Sequence, residues 1–160
     1  MIIIYAPADG AEQHFDAGPG KLRASEIQII ERTADGRWNE IKSAMGQGDI
    51  NAMRTVAYVL KKRAEPSLRL AQFDPFEGEL RVRLDRPETE AFAEQLFEKY
   101  QGTPDLEDAF EELRDATFDR EYAETAIAAV TAPKVQAPAE PAPEPETGPM
   151  EESAPSLTGS

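Results

Sequence analysis

Residues 49–63 read DINAMRTVAYVLKKR, and this stretch decides the fold. One apolar stripe recurs through it at helical spacing, and two valines widen that stripe. The stripe residues are Ile50, Met53, Ala57 and Leu60, with Val56 and Val59 beside them. Asp49 is a suitable N-cap, and Pro66 prevents the helix from continuing beyond about Ala64. So broad an apolar face is typical of the central helix of a small bundle.

Two shorter helices are predicted upstream of this central helix. The first begins at Ser25, a good N-cap residue, and ends by Gly36. The second runs from Arg37 to about Gln47 and places Trp38, Ile41 and Met45 on one face. The short Gly46–Gly48 turn makes the second and third helices antiparallel neighbours, so the three helices form one core.

Strand patterns lie on either side of the three helices. Ile2–Tyr5 has strand composition, residues 7–10 supply turn chemistry, and Glu12 to Phe15 can return as the second strand of a hairpin. In residues 80–84 apolar and basic side chains alternate strictly, which is typical of a half-exposed strand. Whether this strand pairs with the hairpin stays open. Residues 1–87 are predicted to form the N-terminal unit.

Residues 88–130 are predicted to form an acidic helical region. Within residues 88–124 there are thirteen acidic and three basic side chains. One helix is expected from Glu88 to Gln101 and a second from Asp105 to about Val130, separated by the break at 102–104. The apolar stripe of the second helix steps by five residues between Leu113 and Phe118, which indicates a bend or a change of packing partner.

The last thirty residues differ in composition from the rest. Residues 131–160 contain seven of the thirteen prolines, five glutamates and one lysine. Such a segment cannot bury enough apolar surface to offset the cost of ordering it, so we predict that it is disordered. The predicted fold class is mainly α: a small helical bundle with an N-terminal β-hairpin and a disordered Pro-rich C-terminal tail.

The composition of the whole chain excludes several classes of function. The 160 residues carry a net charge of −14, which argues against a basic face for nucleic acid. There is no cysteine, so disulfides, thiolate metal sites and cysteine nucleophiles are excluded. No apolar run approaches the length of a membrane span, and no signal peptide is evident. We therefore expect a soluble intracellular protein with no nucleic-acid or membrane partner.

Candidate catalytic residues are sparse. The single histidine, His14, lies on a predicted strand without a nucleophile beside it. Residues 18–21 read GPGK but lack the length and the hydroxyl residue of a phosphate loop. The carboxylates of residues 107–115 are predicted to form a solvated helix face rather than a calcium loop. We predict that the protein is not an enzyme and uses no cofactor or metal.

The acidic helices carry many large apolar side chains. The N-terminal unit is too small to cover all of them, so the remainder is predicted to bind a partner helix in a groove with an acidic rim. The predicted partner-binding residues are Phe92, Leu96, Tyr100, Phe110 and Leu113. The alternative is that these side chains form an ordinary core.

A series of features in residues 22–73 resembles a known family. In order, they are Ser25-Glu26, Ile30-Glu31-Arg32-Thr33, Trp38 with Glu40, Gly48-Asp49, a helix over 52–63 that ends in a basic run, and Pro66 with Leu68 and Phe73. This order is similar to that of the tail assembly chaperones of long-tailed (siphovirus-type) bacteriophages, especially those that infect actinobacteria. Ala34-Asp35 are inserted before Gly36, and Tyr58 stands where another aromatic, often Trp, is usual.

The resemblance implies a non-enzymatic factor that binds the phage tape measure protein while the tail tube polymerises. It further implies the host cell cytoplasm as the location, absence from the mature virion, and the tail tube protein and a frameshifted longer form of this chain as additional partners. A long helical tape measure protein needs a soluble cover before the tube encloses it, and a small acidic body suits that role.

Two other readings stay open. Aligned carboxylates along residues 88–124 are also typical of an acidic DNA mimic that inhibits a host nucleic-acid enzyme. Such a mimic binds with strong salt dependence, whereas a chaperone that covers apolar helices binds with weak salt dependence. A structural tail or head-completion protein is the third possibility, and it would be found in purified virions.

The composition of residues 131–160 yields the first testable prediction. Truncation after Val130 should leave the thermal midpoint within about 2 °C of the full-length value, because no core contact is lost. Thermal unfolding of both chains, followed by circular dichroism, measures the difference. A much larger drop would show that the tail packs firmly on the body.

Overall fold

The computed structural model describes residues 1–132, which contain six α-helices and three β-strands. The elements in chain order are β1 (Ile2–Tyr5), β2 (Gln13–Asp16), α1 (Ala24–Ala34), α2 (Trp38–Gly46), α3 (Ile50–Lys61), β3 (Leu80–Arg83), α4 (Arg86–Tyr100), α5 (Leu106–Ala116) and α6 (Arg120–Thr131). The fold is mainly helical with a small N-terminal sheet, as predicted. The prediction of a disordered tail lies outside the described residues, apart from residues 131 and 132.

The sheet has the order β2-β1-β3, and both neighbours of β1 are antiparallel to it. Ile3 lies opposite Phe15 on β2 and opposite Val82 on β3. Because side chains alternate along a strand, this register places all three on one face, against the helices, and Ile3 is fully buried. The predicted hairpin is confirmed, and the pairing that stayed open is present: β3 completes the sheet on the free edge of β1.

Helix α3 lies at the centre of the first core, as predicted. It packs against α1, α2 and the sheet, and seven of its twelve residues are buried. Asp49 caps its N-terminus by accepting a hydrogen bond from the backbone N–H of Ala52 at 2.9 Å. The predicted cap of α1 is wrong: the N-cap is Arg23, whose backbone N–H donates to Glu26 at 2.7 Å, so Ser25 lies inside the first turn.

A second core forms among α4, α5 and α6. Its buried members are Ala93, Phe110, Leu113, Ala126 and Ile127. The single helix expected from Asp105 to Val130 is wrong, because α5 ends at Ala116 and α6 begins at Arg120. Leu84 takes the backbone hydrogen bonds at the break: its N–H donates to Ala116 and its carbonyl accepts from Phe118. The five-residue step in the sequence therefore marks a break rather than a bend.

The two cores meet at Asp85. Its carboxylate caps α4 by accepting from the backbone N–H of Glu88 at 3.0 Å, and it also contacts the amino group of Met1. The Glu88 carboxylate lies 2.6 Å from the same amino group and 3.1 Å from Lys42 Nζ on α2. This cluster of opposite charges ties the first strand and α2 to the start of α4.

Gly18 fits closely against this cluster. A Cβ at this position would lie 2.5 Å from Asp85 Oδ2 and 2.9 Å from Asp16 Oδ1. The Asp85 side chain is already held by the Met1 amino group and by the cap of α4, so it cannot move aside without breaking those contacts.

Gly18→Ala should therefore lower the free energy of unfolding by about 1–3 kcal/mol, the usual cost of forcing an extra methyl into packed surroundings. Gly78→Ala is the matched control, since no atom lies within 4 Å of a Cβ there. Urea unfolding of both variants measures the two costs. Equal stability of the two variants would contradict the close fit.

Candidate functional site

The predicted partner-binding residues divide into two groups in the structure. Phe110 and Leu113 on α5 are only 2% and 3% exposed and belong to the second core. In the folded chain they are not available to a partner, so for these two the alternative of an ordinary core applies. Phe92 on α4 is 45% exposed, and Leu96 and Tyr100 are partly buried.

Helical geometry explains the exposure of Phe92. The face of α4 that packs on α5 and α6 contains the buried residues Thr89 and Ala93, and Phe97 is partly buried beside them. Phe92 lies one position before Ala93, about 100° away around the helix axis, at the margin of that face. With Leu96 and Tyr100 at i+4 and i+8, it forms a line from the exposed margin towards the core. We call these three residues, two aromatic and one aliphatic, the α4 aromatic line.

Five of the thirteen carboxylates in residues 88–124 are paired with arginines. Arg114 on α5 contacts Glu107 and Glu124 at 2.8 Å each and Glu111 at 3.1 Å. Glu107 and Glu124 raise the pKa of the Arg114 guanidinium above its ordinary value. Arg120 on α6 contacts Asp115 at 3.0 Å. The acidic surface thus combines this ion-pair network with seven carboxylates that form no salt bridge within residues 1–132: Glu90, Glu94, Glu98, Asp105, Asp108, Glu112 and Glu121.

His14 lies on β2 and is exposed. Its Nε2 is 2.7 Å from a carboxylate oxygen of Glu12, and this hydrogen bond lowers the pKa of Glu12 below its ordinary value. The imidazole also meets the ring of Phe118 edge to face, with 4.8 Å between ring centroids. Through this ring contact, His14 connects the sheet to the loop that joins α5 to α6. Within residues 1–132, no three His, Asp or Glu side chains converge as a metal site would require.

Three exposed apolar side chains were not predicted as surface features. Phe76, Ile29 and Phe118 are 79%, 45% and 39% exposed, respectively. The five-residue step between Leu113 and Phe118 was a sequence signal that Phe118 leaves the apolar stripe of α5. The sequence also carried a signal for the exposure of Ile29, because Ile27, Ile29 and Ile30 span too wide an arc of a helix to face the core together. Phe76 lies between Pro75 and Gly78 in a connection, where no periodicity exists to indicate burial.

Two concave surfaces accompany these side chains. A cleft of about 430 Å³ at the junction of the two cores is lined mainly by apolar groups, among them Ile2, Leu84 and Phe118. A groove of about 240 Å³ between α1 and α3 is lined by Arg23, Glu26, Ile29, Tyr58, Val59, Lys62 and Arg63. We call it the α1–α3 groove. No helix in the described part of the chain is long and apolar enough to cross a membrane.

Comparison with protein-family models, with curated proteins and with solved structures found no match for this chain. The candidate site therefore depends on the geometry of the chain itself.

The division of the predicted site yields a stability prediction. Phe110→Ala should lower the free energy of unfolding by about 3–5 kcal/mol, because it leaves a cavity in the second core. Phe92→Ala should cost about 1 kcal/mol at most, since nearly half of that side chain already contacts water. Chemical denaturation of both variants provides the comparison, and similar costs would contradict the assignment of Phe92 to the surface.

Proposed function

We propose that this protein is a bacteriophage tail assembly chaperone that binds and solubilises the tape measure protein in the host cytoplasm during tail tube assembly. The observation that carries the proposal is the exposed half of Phe92, which heads the α4 aromatic line on an otherwise acidic helical unit. The order of features in residues 22–73 supports it through their resemblance to the phage family.

The α4 aromatic line suits an apolar helical partner. A few anchor side chains supply most of the energy of an interface, and aromatic residues are enriched at interfaces. Helices bind apolar surfaces through residues spaced at i, i+3, i+4 and i+7. Burying the exposed part of Phe92 on binding removes apolar surface from water. The excess of acidic over basic side chains in residues 88–124 keeps the surface charged, which favours solubility of the free protein when no partner is present.

Ion pairs on α5 and α6 reduce the number of carboxylates available for DNA mimicry, and the seven unpaired ones within residues 88–124 keep that alternative open. A mimic requires free carboxylates at phosphate-like spacing. Here Glu107, Glu111, Asp115 and Glu124 are held by Arg114 or Arg120, which neutralise part of their charge. The proposal extends to the tail tube protein and a frameshifted longer form of the chain as further partners only by resemblance to the phage family.

Co-expression with the tape measure protein tests the proposal. Wild-type chain should keep that protein soluble and co-purify with it. Phe92→Glu should reduce recovery of the complex at least about tenfold, because a charge replaces an apolar anchor at the interface. Ala91→Glu is the matched control: it adds the same charge to an exposed neighbouring position on α4 and should leave recovery unchanged.

Circular dichroism of each variant establishes that the helices are intact. Equal recovery with both variants would remove Phe92 from the interface, and failure of the wild-type chain to solubilise the tape measure protein would contradict the proposed function. Binding to a basic nucleic-acid enzyme that weakens steeply between low and high salt would instead favour the DNA-mimic alternative.

A further inference from the structure

The α1–α3 groove combines an apolar floor with cationic side chains. Ile29 on α1 is 45% exposed, and Tyr58 and Val59 on α3 lie next to it in the groove. An isoleucine with that much exposed surface gains free energy if an apolar side chain covers it. The groove volume of about 240 Å³ has room for a side chain but not for a helix.

Of the three basic side chains in the groove, one is neutralised. Arg63 Nε and Nη2 each donate to the Glu26 carboxylate at 2.7 Å, and these bonds lower the pKa of Glu26 below its ordinary value. Arg23 and Lys62 form no salt bridge with any residue in the range 1–132, and Lys62 Nζ lies 5.6 Å from the centre of the Tyr58 ring. The groove therefore suits an apolar side chain flanked by carboxylates.

We propose that the α1–α3 groove binds residues 144–152 of the same chain, with the Met150 side chain on the apolar floor. These residues read EPETGPMEE. Beyond residue 132 the sizeable apolar side chains are Val135, Met150 and Leu157, and only Met150 has glutamates on both sides. Methionine is unbranched and adapts to irregular gaps, and Glu151 and Glu152 complement Arg23 and Lys62.

The length of the chain permits this contact. Met150 is eighteen positions beyond Ala132, and at about 3.3 Å per residue this length of chain spans up to about 60 Å. A body of this size has a radius of gyration of about 14 Å, so any point on its surface is within reach.

Covalent linkage favours the chain's own segment over the acidic helices of a second copy, because a tethered segment is present at an effective concentration of order 1 mM. A contact whose dissociation constant is near that value adds little to the unfolding free energy. The inference uses no residue of the α4 aromatic line and does not depend on the proposed function.

A spin label in the full chain tests the contact. Because the chain has no cysteine, Ser153→Cys provides a single labelling site next to the proposed anchor. Paramagnetic broadening should be strongest at the Ile29 methyl groups and at the amides of Tyr58 and Lys62. Arg23→Glu with Lys62→Glu should weaken docking roughly tenfold and remove most of this broadening, because two attractions become repulsions.

Arg37→Glu with Arg69→Glu is the matched control, since it makes the same charge change at exposed positions outside the groove and should leave the broadening in place. Broadening spread evenly over the surface, or unaffected by the groove substitutions, would overturn the inference. A mixture of isotope-labelled chain with spin-labelled, unenriched chain tests for contact between molecules. Broadening of equal strength in that mixture would overturn the intrachain assignment in favour of a second copy.

Discussion

The Asp85 carboxylate is the contact on which the arrangement of the two cores depends. It caps α4, meets the amino group of Met1 and leaves no space for a side chain at residue 18. An uncompensated carboxylate at 7% exposure would be costly, so each of these partners matters to the stability of the junction. The direction of α4, and with it the position of the second core, is set by this polar cluster together with the backbone hydrogen bonds that Leu84 forms with Ala116 and Phe118.

Because the two cores are separate, they are stabilised differently: the first mainly by apolar packing, and the second by apolar packing and ion pairs together. The first core surrounds α3 and includes large aliphatic side chains from every helix of the N-terminal unit. The second core is smaller and is built around Ala93, Phe110 and Ile127, while Arg114 ties α5 to α6 from outside. A thin core leaves aromatic side chains at its margin, and Phe92 is one of them.

Features that depend on residues close together in the sequence were predictable, and features that depend on residues far apart in the sequence were not. The cap at Asp49 and the stripe of α3 depend on residues within a few positions of each other, so their spacing was sufficient. The break after Ala116 depends on hydrogen bonds to Leu84, more than thirty residues away, so the stripe showed only a step. Phe92 and Phe110 have similar sequence surroundings, and their different burial arises from how α6 packs across α4 and α5. Of the residues predicted to bind a partner, those on α5 therefore belong to the core, Phe92 on α4 is exposed, and Leu96 and Tyr100 are partly buried.

The strand order β2-β1-β3 has a consequence for synthesis of the chain. The partner of β1 on one edge is residues 80–83, which are translated long after residue 5. At 5–20 residues per second, the hydrogen-bonding edge of β1 stays open for roughly 4–16 s on the ribosome. An open edge of isoleucines is a site for mispairing with other nascent chains. The molecule limits that hazard by keeping the strand to four residues, which offers few hydrogen-bonding groups for mispairing.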